Sequence, residues 1–121
     1  MAVENWRRDE PTFYNFLALE RTSLNAPDPL GGIAGGLMSW DKKSESQTFV
    51  VEVPPGWKTQ TDSKDASLEF FVLRGDMALN GDAIGTGGYI HVPQLAGGGE
   101  VTSTTGALAL AFWNPNIPAY S

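Results

Sequence analysis

The sequence contains no cysteine and only one histidine, His91. Without thiols there are no disulfides, no thiolate nucleophile and no cysteine-based zinc site. Cations are sparse too, with eight Lys and Arg against 14 Asp and Glu, a net charge of −6. Only Arg7-Arg8 and Lys42-Lys43 are adjacent. A phosphate backbone is held by clustered cations, so nucleic acid is not an expected partner. No apolar run approaches the roughly 18 residues of a membrane span. The stretch from Met1 to Glu10 is too polar and charged for the apolar region of a signal peptide. These absences predict a soluble, cytoplasmic protein with no membrane association.

What is present suits one compact domain rich in turns. A chain of 121 residues supplies a single core, and its 14 glycines and 8 prolines are dispersed rather than repetitive. The apolar cluster Phe13, Tyr14, Phe16, Leu17, Leu19 fits either a helix or a strand and is followed by the loop signal Pro27-Asp28-Pro29. From Ile33 onward, short apolar runs alternate with turn residues, the pattern of an all-β protein. The predicted strands are Leu37 to Trp40, Gln47 to Val53, Leu68 to Leu73, Met77 to Leu79, Asp82 to Ile84, Tyr89 to Val92, Glu100 to Thr104 and Ala107 to Trp113. Pro54-Pro55-Gly56 stops the second of these, because two prolines remove ladder donors. Asn80-Gly81 marks a type I′ hairpin turn. So many strands with no convincing helix between them suggest a sandwich or a closed barrel.

Three segments in order carry a family resemblance: Pro54-Pro55-Gly56, Glu69-Phe70-Phe71-Val72-Leu73-Arg74-Gly75-Asp76, and Gly87-Gly88-Tyr89-Ile90-His91-Val92-Pro93. Together they resemble the two motifs of the cupin superfamily, over residues 46–115. Leu37, Trp40 and Asp41 add a looser likeness to the cupin-like domain of ChrR-type anti-sigma factors. The resemblance implies an all-β double-stranded β-helix, or jelly-roll barrel, as one domain over residues 1–121. Residues 1–29 would form an N-terminal extension. It further implies a homodimer in which that extension covers the neighbouring subunit.

In that family, two histidines one residue apart, a glutamate and a third histidine bind a metal. Counted onto this chain, those positions hold Asp62, Lys64, Leu68 (with Glu69 beside it) and Gly98. No resident metal or cofactor is therefore expected. An alternative is a mixed set of Asp62, Glu69 and His91, which the Lys64 ammonium would oppose.

The remaining candidates each have a plain structural role as well. His91 is the only side chain whose ordinary pKa lies near neutrality, and Tyr89 shares its face by the period of two. Pointing into the barrel, they would be a general base and a donor, with Glu69 as a buried carboxylate; pointing out, they simply pack or meet solvent. Asp62 and Lys64 are read as an ion pair in place of the lost ligands or as part of a solvated loop, Thr59 to Ser67. Trp40, Trp57 and Phe70 are candidate walls for a flat or apolar ligand or ordinary core aromatics, with Trp57 at the cavity mouth. The expected function is small-molecule binding without a metal, with acid–base isomerisation, cyclisation or elimination inside the barrel. A noncatalytic sensing module and a metalloenzyme with atypical ligands are the alternatives.

Overall fold

The computed structural model describes residues 20–27, 30–61, 66–93 and 99–115. The cluster from Phe13 to Leu19, most of the expected extension, and Asp62, Lys64 and Gly98 lie outside the described residues. Ten strands follow one another: β1 (Thr22–Ser23), β2 (Ala34–Trp40), β3 (Gln47–Val53), β4 (Lys58–Thr61), β5 (Ala66–Gly75), β6 (Met77–Leu79), β7 (Asp82–Ile84), β8 (Tyr89–Val92), β9 (Gly99–Thr102) and β10 (Ala107–Pro115). No helix occurs among the described residues. A six-stranded sheet runs β1-β2-β3-β10-β5-β8, and a four-stranded sheet runs β4-β9-β6-β7. All the pairings are antiparallel, giving the two-sheet jelly roll.

Local chemistry explains most boundaries. β3 and β8 span the stretches expected from the sequence, Gln47–Val53 and Tyr89–Val92. Asn80 and Gly81 take φ values of 51° and 87° and close β6 onto β7 with Leu79 opposite Asp82, as a type I′ turn requires. The turn Asp41 to Ser46 is held by the Asp41 carboxylate, which accepts from the Lys43 amide at 3.0 Å and the Ser44 hydroxyl at 3.0 Å. The expected loop from Thr59 to Ser67 gives way at both ends, to β4 and to the start of β5. β4 reads Lys-Thr-Gln-Thr and escapes a search for apolar runs; only Thr61 is buried, while Lys58 and Gln60 face water.

The core lies between the sheets. Phe49, Val51 and Val53 of β3, Leu68, Phe70 and Val72 of β5, and Ala107, Ala109 and Ala111 of β10 pack against Met77 and Val101 of the smaller sheet. The alanines of β10 matter because it is a central strand, flanked by β3 and β5, whose larger side chains fill the interior on either side. Leu30 and Ile33, from the connection before β2, close this core and are themselves buried. The six-stranded sheet has a second apolar layer on its outer face, where Val50 and Leu108 pack with Met38, Leu73 and Leu110.

Candidate functional site

The acid–base candidates stand on the outside of the barrel. On β8, Ile90 and Val92 are buried in the core, so Tyr89 and His91 point the other way and both are exposed. Their rings lie side by side with centroids 6.5 Å apart, so the expected shared face is real. The interior orientation is not. Glu69 sits directly opposite His91 across the β5–β8 pair, on the same outer face and only partly buried. It is therefore not the buried interior carboxylate that catalysis inside the barrel would need. Phe70, between Glu69 and Phe71, is the residue that enters the core, fully buried.

The two ends of the barrel divide the tryptophans. Trp40 ends β2 beside Gln47, which is also the partner of Trp113, at the end where β4 and β8 finish and β5 and β9 begin. Trp57 lies at the opposite end, after the Pro54-Pro55-Gly56 turn. These two tryptophans cannot wall one cavity.

Three turns are tied together at the Trp57 end. The Gly56 amide donates to the Ser103 carbonyl at 2.9 Å, and the Ser103 amide donates to the Trp57 carbonyl at 2.9 Å. The buried Ser103 hydroxyl donates to the Asp76 carbonyl at 2.6 Å. The Asp76 carboxylate accepts from the amides of Thr104 at 3.0 Å and Thr105 at 2.7 Å, and from the Thr105 hydroxyl. The Thr105 hydroxyl, then the Thr104 and Thr105 amides, hold the Asp76 carboxyl below its ordinary pKa. A carboxyl depressed on folding contributes stability above its unfolded pKa, and that contribution is lost as pH falls toward the folded value. Asp76→Asn is therefore expected to be less stable than wild type at pH 7 by urea denaturation. The difference should close below about pH 4, near the unfolded carboxyl pKa. A gap that persists at acid pH would show that the charge is not the source.

This clamp frames an open cleft of about 1150 Å³. Its apolar side is formed by Ile33, Val53, Pro55, Trp57 and Ala107, and its polar rim by Thr59, Gln60 and Thr105. The charged lining residues are Glu52, Lys58 and Arg74. Glu52 already meets the Arg21 guanidinium at 3.3 Å, and Lys58 meets Glu100 at 3.5 Å. Trp57 is partly buried, held through its backbone and packed on the core, so its ring is a fixed wall. The lining contains neither a histidine nor a tyrosine.

The sequence profile of DUF4437, a domain of unknown function, matches residues 22–121. The chain belongs to that family and has the cupin fold. Among solved structures, the acetylacetone dioxygenase of Acinetobacter johnsonii is similar with a TM-score of 0.67 and 15% identity, over 94% of this chain and 80% of that one. KdgF of Halomonas sp. gives 0.64 and 14%, over 93% and 99%. Rhodobacter sphaeroides SigE in complex with the anti-sigma ChrR gives 0.62 and 15%, over 80% of this chain and half, 50%, of that one. A search among curated proteins found no sequence match.

The donor set of this DUF4437 cupin does not fit the metal that cupins usually bind. The family's three histidine positions hold Asp62, Lys64 and Gly98, and the one imidazole in the chain projects from the outer face. Among the described residues no three of His, Asp and Glu gather. Glu69 and His91 are neighbours on the outside of the barrel, which leaves the mixed set of Asp62, Glu69 and His91 without an interior pair. Among the described residues, no helix is long and apolar enough to cross a membrane. Of the cleft, sequence reasoning found Trp57 and missed the rest. Ile33, Thr59 and Ala107 are ordinary residues, far apart in sequence, that only the folded turns assemble.

Proposed function

We propose that this DUF4437 cupin is a noncatalytic, metal-independent binding module whose turn-end cleft takes a flat or apolar organic molecule against Trp57. The observation that carries the reading is the outward placement of Tyr89 and His91, which removes the acid–base pair from the interior. The cleft, somewhat larger than the usual range of ligand sites, offers an aromatic wall and a polar rim instead. A cysteine-free composition supports a cytoplasmic setting, and we propose that the working unit is a homodimer.

A thermal-shift screen with neutral aromatic compounds and aromatic carboxylates tests this reading. A compound present at about 100 times its Kd stabilises by about 2.7 kcal/mol, a rise of several degrees. The expected hits lose their shift in Trp57→Ala and keep it in His91→Ala, with the compound recovered unchanged. Hits indifferent to Trp57→Ala would overturn the assignment of the cleft. Turnover abolished by His91→Ala would overturn the noncatalytic reading.

A further inference from the structure

The charges that line the cleft do not cancel. Its charged side chains are Glu52, Lys58 and Arg74. The Glu52 carboxylate is taken by Arg21 at 3.3 Å, and the Lys58 ammonium meets Glu100 at 3.5 Å. The Arg74 side chain has neither a hydrogen bond nor an ion pair among the described residues. Its register partner Leu108 stands between it and Glu52, while Arg21 reaches Glu52 from the other side, beyond β2. The nearby Asp76 carboxylate is engaged by Thr104 and Thr105. A guanidinium, with five donors in a planar fork, is therefore left to the cleft in a chain whose net charge is −6.

We propose that Arg74 is the anion anchor of the cleft and that the ligand is an aromatic acid, its ring on Trp57 and its carboxylate on the Arg74 guanidinium. The assignment, which rests on the cleft being the binding site proposed above, names the class of molecule it takes. Register sets the spacing of the two contacts. Val53, from which the chain turns toward Trp57, pairs with Ala107, and Ala107 pairs with Gly75. The Trp57 and Arg74 sides thus lie two strand spacings apart, roughly 10 Å. Between them Gly75, Gly106 and Ala107 have almost no side chain and keep the floor low. A flat ring on one side and the reach of an arginine on the other leave room for a short arm between ring and carboxylate. A carboxylate accepts both parallel N–H bonds of a guanidinium, whereas an amide of the same shape would set its own N–H donors against one of them.

The test compares naphthylacetate with naphthylacetamide, probes of nearly equal shape that differ in charge, by isothermal titration calorimetry. Wild type is expected to bind the acid about fivefold more tightly, the order of effect of an ion pair at an open site, and the preference should shrink as salt is raised. Arg74→Gln should level the two probes by weakening the acid alone, and because Arg74 is exposed the fold should be indifferent to the change. Lys43→Gln removes the same charge from the Asp41 to Ser46 turn at the other end of the barrel and should leave the preference intact. Trp57→Ala should weaken both probes. Equal affinities in wild type, both lowered by Trp57→Ala, would overturn the anion anchor and leave the cleft standing. A preference that survives Arg74→Gln would overturn Arg74 as its source. Binding of neither probe, or binding indifferent to Trp57→Ala, would overturn the cleft and the anchor together.

Discussion

Phe70→Ala is expected to lower the stability of the protein by about 3–5 kcal/mol, the range for truncating a buried phenylalanine. At about 4 °C per kcal/mol for a chain of this size, the melting temperature should fall by about 12–20 °C. Phe70 is fully buried, flanked in register by Ala111 and Ile90, so the lost ring leaves a void rather than a solvent-filled groove. The loss is large against the 5–15 kcal/mol or so that holds a typical domain together. It also bears on function. Were Phe70 the wall of an interior ligand cavity, its removal would enlarge an existing space and cost much less. Guanidinium or thermal denaturation of Phe70→Ala beside Phe71→Ala separates the cases, because Phe71 is exposed and should cost less than about 1 kcal/mol in the monomer. Similar losses at the two positions would show that the alternation along β5 does not divide inside from outside.

The second large effect is expected at Gly75. Its φ is +91°, and a Cβ placed there would clash with the Gly106 carbonyl oxygen and meet the Ala107 Cα at 2.9 Å. Both neighbours are backbone, so nothing can rotate aside. Gly75→Ala should therefore cost about 3–5 kcal/mol, combining left-handed strain with the clash. Gly87 supplies the control, since its φ is +86° but a Cβ there would meet nothing within 4 Å. Gly87→Ala should lose only the strain component, about 1–2 kcal/mol. Equal losses would remove close approach as the reason for glycine at 75. Because Gly75 and Gly106 both line the cleft, the same clash should push its turns apart and weaken any ligand that Trp57 binds.

These two positions also mark where sequence reasoning works. The Pro54-Pro55-Gly56 stop, the Asn80-Gly81 hairpin and the glycine that ends β5 are local matters of φ, missing donors and side-chain size. They were legible residue by residue, while the resemblance to cupins rested on three segments, Pro54-Pro55-Gly56, Glu69 to Asp76 and Gly87 to Pro93. β4 was not, because a strand whose outward residues are Lys58 and Gln60 has no apolar run to betray it.

The candidate site was legible only in part, and His91 shows why. The alternation along Tyr89-Ile90-His91-Val92 establishes that His91 and Tyr89 share one face and Ile90 and Val92 the other. The sequence by itself also determined that the three family histidine positions hold other residues. It did not determine which face turns inward. In a sheet with one polar face, hydrophobicity would decide that question. Here the outer face carries Val50, Leu108, Leu110 and Phe71, so both faces are apolar and the pattern has no preferred side. Only the docking of the four-stranded sheet, with Met77 and Val101 against Phe70 and Val72, chose the inside. That tertiary choice set His91 on the surface, left the interior a packed core, and gathered Ile33, Trp57 and Ala107 into a cleft at the end where the chain turns.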